Sequence, residues 1–395
     1  MTDYAAYAIE LRRQLHMYPE IGFTLPKTLA LVKGELDKYG IPYTEEFGQS
    51  SVVATINQEK SHFTIGIRAD MDALPIQEIS DKPYRSRHDG MMHACGHDAH
   101  TAILLATGRK LQQMRDQINC RVKLLFTPAE EYIEPGCRQM AENGVMDDID
   151  CVVSLHMDSG KDVGNISMAP GGAGGNSMGF TIDFYGTSSH VVSQHLGKDA
   201  IGMAVEAYMV MEMMVAKEIR PTEPRALNIG SFHGGETNNI ICSHCRMFCS
   251  SRTHSDQVTQ FILDRATQIC QSIAACNGGR AEVTVNKFLP YVYNDAVVTE
   301  RLFQAAEKVI GKEHVQRNKK RSLGGEDFAF LSRKKPGAMF WLGKRGEDPA
   351  SRVPAHQDRY DIDERALQLG IDIFTQFVLD NMNGIDGLPT EVHVQ

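Results

Sequence analysis

Residues Met91–His100 read MMHACGHDAH, which sets a thiol at Cys95, imidazoles at His93, His97 and His100, and a carboxylate at Asp98 in one short stretch. Cys95 and His97 stand two apart, so on a helix they would point roughly 200° away from each other. Only a turn lets both meet one ion. The following residues, Thr101–Leu111, carry apolar side chains at Ala102, Ile103, Leu105 and Ala106, so a helix is expected there with Asp98 as its N-cap. Thiolate combined with imidazole suits Zn²⁺ and its borderline neighbours. A polar turn with an incidental cysteine is the plainer alternative, but few folds gather so many coordinating groups without using them.

The sequence on either side repeats one pattern. Thr64–Ala69, TIGIRA, leads into Asp70-Met-Asp72. Arg121–Thr127, RVKLLFT, leads into Pro128-Ala-Glu130-Glu131, and Cys151–Leu155, CVVSL, leads into His156. Short continuous apolar runs separated by helical sequence read as parallel strands buried on both faces. Each run ends on residues able to bind metal or move a proton, and in open α/β sheets sites form at the carboxyl ends of strands. One site built from several strand ends accounts for all of them.

Glu130 and Glu131 are adjacent, so in extended chain they would point opposite ways; a turn past the strand end can aim both at one centre. One then binds metal and the other handles a proton, the division that metal-assisted hydrolysis needs. The competing reading is a solvated acidic pair at a helix start. Taken singly, His156 could be a satisfied core histidine, His356 a surface residue, and Asp70 and Asp72 strand-end caps.

Elsewhere the chain bounds the answer. Its 395 residues point to two domains, and 42% hydrophobic with 23% charged residues is a globular composition. A net charge of −9 argues against nucleic acid as a partner, and the basic run Lys319–Arg321 reads as a solvated loop. The start lacks a signal-peptide core and no run of 18 apolar residues occurs, so a cytoplasmic protein with no membrane partner is expected. Nine cysteines without framework spacing fit reduced thiols. Cys242, Cys245 and Cys249 are read as buried small residues of a strand rather than a second metal site, because no suitable partner motif follows.

The glycine-rich segment Met168–Ser177 marks a boundary and would permit domain closure. After it, strand, helix, strand, strand, helix, strand can be read in order, a small two-layer α/β sandwich inserted in the chain. The expected division is 1–172, 173–288 and 289–395, the first and last parts forming one catalytic domain. The methionines of Asp199–Ala216 are read as adaptable core.

The motifs RADMDALP, HACGHDAHTAILL, PAEE, SLHMD, GTSSHVVSQHLGKDA, GGEDFAF and PAHQDRYDIDERAL occur in an order that resembles the aminoacylase–carboxypeptidase superfamily of dinuclear metallohydrolases. Within it, the chain is similar to the branch of hippurate hydrolases, IAA-amino acid hydrolases and N-acyl-amino-acid amidohydrolases. The resemblance implies an α/β fold: a dinuclear-metallopeptidase-like catalytic domain with a mostly parallel central sheet, and an inserted ferredoxin-like α+β lid or dimerisation domain. It implies two divalent ions per chain (Zn, Mn, Ni or Co) held by Cys95, His97, Glu131, His156 and His356, with Cys95 bridging. Glu130 would be the general base and acid, with Asp72 orienting a ligand from behind. His190 would supply an oxyanion donor across a homodimer paired through the inserted domains, and Asn238 and Arg252 would grip the substrate. The substrate implied is a small N-acyl amino acid or peptide, with a carboxypeptidase or dipeptidase as the alternative. The branch usually carries Gly-Gly before the lid histidine; here Ser188-Ser189 precedes His190 and Val191-Val192 follows it, which alters the pocket wall.

Overall fold

The computed structural model describes residues 3–318 and 323–392. It forms two compact units: one runs up to Ala173 and resumes at Val292, and the other comprises Gly174–Tyr291 with the short segment ending at Glu326. The basic run at 319–321, expected as a loop, lies outside the described residues.

The chain opens with α1 (Tyr4–Met17), α2 (Pro26–Lys38), β1 (Tyr43–Thr44), β2 (Val52–Ile56), β3 (Thr64–Asp70), α3 (His97–Gln113) and β4 (Arg121–Thr127). Next come α4 (Gly136–Glu142), β5 (Cys151–Asp162), β6 (Ile166–Ser167) and β7 (Gly171–Gly172). The second unit holds β8 (Asn176–Tyr185), α5 (Ala200–Lys217), β9 (Arg225–Gly234), β10 (His244–Thr253), α6 (Asp256–Cys276) and β11 (Arg280–Leu289). The first unit is completed by β12 (Tyr293–Asn294), α7 (Ala296–Ile310), β13 (Val315–Gln316), α8 (Ala329–Ser332), β14 (Gly337–Arg345) and α9 (Arg365–Asn381).

The first unit is built on a sheet of order β1-β2-β4-β3-β5-β14-β6-β13. Its centre, β4-β3-β5-β14, is parallel, while β2 joins β4 antiparallel. The fold is therefore α/β with a mainly parallel sheet. Period-two alternation distributes the side chains between two cores. Val122, Leu124 and Phe126 of β4, with Cys151, Val153 and Leu155 of β5, pack with apolar residues of α1, α3, α7 and α9. Leu125 and Val152 point the other way and pack with residues of α4 and α8. Burial on both faces is why these strands read as unbroken apolar runs.

Register puts the strand ends in line. Asp70 lies opposite Thr127, Arg68 lies opposite Ser154, and His156 pairs with Trp341. Asp70 and His156 thus fall on one level at the carboxyl end of the parallel centre.

The second unit is a four-stranded antiparallel sheet of order β11-β8-β10-β9, with α5 and α6 packed against it, the ferredoxin-like arrangement. Two expectations change here. Met203, Met211 and Met214 of α5 are buried, but Met209 and Met213 are 63% and 58% exposed, because this helix is apolar on nearly every side. Cys242 precedes β10 and is half-exposed, its thiol donating to the His244 carbonyl; Cys245 and Cys249 are buried in the strand. Among the described residues, no helix of either unit is long and apolar enough to cross a membrane.

Candidate metal centre

The helix after the cysteine starts earlier than expected. It begins at His97, and Gly96 is its N-cap in the left-handed region, φ +97°. A residue between Cys95 and His97 in that conformation makes the turn that brings the two ligands to one side, and glycine adopts it without steric cost. Asp98 does not cap the helix. Its carboxylate turns inward and accepts from Arg12 Nε and contacts His16 Nδ1, each at 2.7 Å.

The imidazoles of the stretch divide by their partners. His97 donates from Nδ1 to the Asp72 carbonyl at 2.8 Å, leaving Nε2 buried without a hydrogen-bond partner. His100 uses both nitrogens: Nε2 accepts from Met157 N at 3.0 Å, so Nδ1 carries the proton donated to Asp70 at 2.6 Å. It braces β5 beside His156, and although it stands in a group with Asp70 and His97 whose potential ligand atoms lie within 4.8 Å of one another, both its nitrogens are already bonded. His93 is buried with neither nitrogen bonded. His156 directs Nδ1 at the Met157 carbonyl, 2.8 Å, and presents Nε2 to Cys95 Sγ at 3.4 Å.

At the end of β4, Ala129 takes φ +59°, and the chain turns so that Glu130 and Glu131 follow with both backbone amides facing Asp72. Asp72 Oδ1 accepts from Glu130 N at 2.9 Å and Oδ2 from Glu131 N at 3.1 Å. Asp72 therefore orients three site residues at once, the histidine through its carbonyl and the glutamates through its carboxylate. His356 sits at φ +65° in the loop after β14, donates its backbone N–H to Ala94 O, and brings Nε2 to 2.9 Å from Glu131 Oε1.

Among the described residues five groups of potential ligand atoms have their atoms within 4.8 Å of one another, and two of them contain Cys95: Cys95, His97 and His156, and Cys95, Glu131 and His356. Cys95 belongs to both. Glu130 lies within the same span of His97 and Glu131 but in neither Cys95 cluster. The buried His97 Nε2 makes no hydrogen bond and faces ligand atoms rather than a partner, the condition a bound cation resolves. Soft thiolate, imidazole and carboxylate together fit a borderline divalent metal. The residues present fit such a group.

Electrostatics agree with an assembly made for a cation. Burial, with the Glu131 charge added, holds the Cys95 thiol well above its ordinary range. Burial alone would lower His97, but the Asp70 carboxylate carries it well above its usual value. Burial pushes His156 down to about 3, so it presents a neutral nitrogen. Burial opposes ionisation of Glu131 too, yet His356 and the charge of His97 hold its carboxyl below the usual range.

Sequence reading missed three supports. Arg68, fully buried in β3, donates to Asp70 at 2.8 Å and to Asp327. An arginine inside TIGIRA was its signal, since a strand buried on both faces holds an arginine only with carboxylate partners. His100 and Arg12 gave no such sign.

In the second unit, His190 precedes a short 3₁₀ turn and accepts from Val192 N through Nδ1 at 3.3 Å. It bridges Ile240, so the exposed Asn238 lies in the neighbouring segment. Arg252 is elsewhere. It pairs with Ser177 near the opposite end of β8 and donates to Ser250 Oγ and the Ser251 carbonyl.

A partly buried thiol–imidazole–carboxylate cluster at the ends of parallel strands, with a further carboxylate beside it, is the apparatus of a metal-dependent hydrolase. The chain belongs to peptidase family M20/M25/M40, whose sequence pattern matches residues 66–380. It is 32% identical over 366 residues to thermostable carboxypeptidase 1 of Saccharolobus solfataricus, covering 92% of each chain. It is 32% identical over 359 residues to the N-acetyl-L-cysteine deacetylase of Bacillus subtilis, covering 91% of this chain and 84% of that one. The solved YXEP protein of Bacillus subtilis, described as a dinuclear metal binding peptidase from the M20 family, superposes with a TM-score of 0.82 at 28% identity, over 97% and 99% of the two chains.

Proposed function

We propose that this hydrolase cleaves the amide bond of N-acylated amino acids, with Cys95, His97, Glu131, His156 and His356 holding two divalent ions and Glu130 carrying the proton. The observation that carries the reading is the position of Glu130, beside His97 and Glu131 yet outside both Cys95 clusters. A carboxylate so placed stands where it can take a proton from a water beside those ligands. Bound metal would polarise the substrate carbonyl and acidify the attacking water. Glu130 takes the proton of that water and delivers it to the leaving amine. Asp72 keeps the Glu130 carboxylate aimed by holding its backbone. Thiolate with three imidazoles favours none of Zn, Mn, Ni or Co strongly.

His190 serves as oxyanion donor, Asn238 grips the tetrahedral oxygen and Arg252 the substrate's carboxylate. Arg252 is half-buried with no acidic partner among the described residues, which suits a carboxylate ligand. His190 and Asn238 stand beyond one end of β8 and Arg252 near the other, roughly 25 Å apart along the strand. That separation supports a C₂ homodimer in which the two groups serve different active sites. The exposed apolar stripe of α5 (Val205, Tyr208, Met209, Met213) and the outer edge of β9 support pairing through this unit.

The likeness to a carboxypeptidase favours a second reading, hydrolysis of peptides with the same apparatus. The test is a panel of N-acetyl and N-benzoyl amino acids against unblocked dipeptides after reconstitution with Mn²⁺, Zn²⁺, Co²⁺ or Ni²⁺. Turnover confined to unblocked dipeptides selects the second reading. Glu130→Gln should keep about two metals per chain and lose about 10²–10⁴-fold in kcat; undiminished turnover would remove Glu130 from the mechanism.

A further inference from the structure

Lys344 is a fully buried lysine at the end of β14, and its ammonium faces no carboxylate directly. It donates instead to three backbone carbonyls: Ser351 at 2.8 Å, Val353 at 2.9 Å and Asp361 at 2.8 Å. These carbonyls flank His356 on both sides. The Lys344 carbonyl in turn accepts from Asp363 N at 2.9 Å, closing the loop at its far end. Three donors meeting three acceptors satisfy the ammonium completely. A lysine is rarely buried so deeply without such satisfaction.

A second contact leads to the other ligand-bearing turn. The Lys344 ammonium stands 4.0 Å from the centroid of the Tyr360 ring, within cation–π range. The Tyr360 hydroxyl abuts Gly96, where a Cβ would meet it at 2.8 Å. Gly96 lies between Cys95 and His97. One ammonium thus gathers the loop that presents His356 and, through the tyrosine, backs the turn that presents Cys95 and His97.

We propose that Lys344 is a positioning residue for the metal centre, acting as a built-in cation that folds the 349–361 loop so that His356 Nε2 faces Glu131. The proposal rests on the reading of Cys95, Glu131 and His356 as one metal's ligands. It assigns Lys344 no contact with substrate or metal. His356, at φ +65°, holds its place because the loop on either side is tied to one point.

The test is Co²⁺ titration of metal-free protein, read as stoichiometry and absorption spectrum rather than activity. Wild type should bind two ions. Lys344→Met, of similar length but without donors, should weaken one of the two by about 10–100-fold, the range for groups that orient ligands, and leave the other within threefold. Its spectrum should match that of His356→Ala. Two ions bound by Lys344→Met with wild-type affinities and spectrum would overturn the proposal, as would equal weakening of both. If His356→Ala itself retains both ions, the ligand reading has failed instead. Should Lys344→Met not be recovered folded, Tyr360→Leu carries the test. It removes the ring beneath the ammonium and, with the hydroxyl, the group behind Gly96, so weakening of the ion held with His356 is expected together with some loss at the other. An unchanged titration in Tyr360→Leu would overturn the proposal.

Discussion

The carboxylate of Asp72 accepts the backbone amides of both Glu130 and Glu131, at 2.9 and 3.1 Å. Its own carbonyl takes the Nδ1 proton of His97. Adjacent glutamates are thereby fixed through their backbones. Asp72→Ala leaves two buried amides unsatisfied and frees the turn, so metal affinity should fall about 10–100-fold, with kcat falling as well. Asp72→Asn can still accept through one oxygen and should fall between. Metal titration and kcat on one set of variants check this; an Asp72→Ala protein with wild-type values would show that Ala129's backbone alone holds the turn.

How much of this could be read beforehand depends on where the information lay. Thr64–Ala69, Arg121–Thr127 and Cys151–Leu155 are strands because burial on both faces leaves no polar alternation, and that imprint is local. The set Cys95, His97, Glu131, His156 and His356 came from the resemblance that the ordered motifs carry; residue type alone left His156 and His356 open. The start of α3 at His97 could not be read, because it depends on Gly96 taking a left-handed conformation against Tyr360, far along the chain. The same distance hid Arg12, whose partners Asp98 and Asp361 stand 86 and 349 residues away. His100 stood among the imidazoles of the same stretch, and only its two hydrogen bonds show that both its nitrogens are taken.

Arg68 supplies a test of the core beneath the site. Its guanidinium is inaccessible and joins Asp70 and Asp327, carboxylates that are themselves fully buried. Removing one partner of a buried ion pair leaves an uncompensated charge and costs about 3–5 kcal/mol. Arg68→Met should lower the urea midpoint accordingly in the metal-free protein. The double variant Arg68→Met/Asp70→Asn should be less destabilised than the sum of the single changes. Additivity would show that the two residues do not act as a pair.

The Arg12 network sets an acid limit on stability. Burial alone would raise the Asp98 carboxyl, but the Arg12 charge and the contact with His16 hold it far below the usual range. A group depressed in the folded state contributes fully above its unfolded value, near 4, and the contribution is lost as pH falls. His16 has the opposite sign. Burial and Arg12 lower it, Asp98 and Glu78 outweigh them, and its raised value gives stability present below about 6.5 and lost as pH rises through the folded value. Urea midpoints of metal-free protein should therefore fall between pH 5 and 3. Asp98→Asn should start lower at pH 6 and decline less on acidification. A wild-type midpoint flat across that interval would contradict the assignment.

Gly96 is the most demanding position of the ligand turn, for two separable reasons. Its φ of +97° lies where an L side chain is strained, and a Cβ there would stand 2.8 Å from Tyr360 Oη and 3.0 Å from Met157 Cγ. Backbone strain of this kind costs about 1–3 kcal/mol, and the clash adds to it. The clash pushes on residues beside Cys95 and His97, so Gly96→Ala should lose metal affinity as well as thermal stability. Tyr360→Phe removes the hydroxyl without filling its place. The double variant Gly96→Ala/Tyr360→Phe should recover part of the metal affinity, because the nearest obstruction is gone, but not all of the stability, because the backbone conformation is unchanged. Equal recovery of both would mean that the clash alone constrains the turn. No recovery of either would place the constraint in φ, and the tyrosine would then have no part in shaping the Cys95–His97 turn.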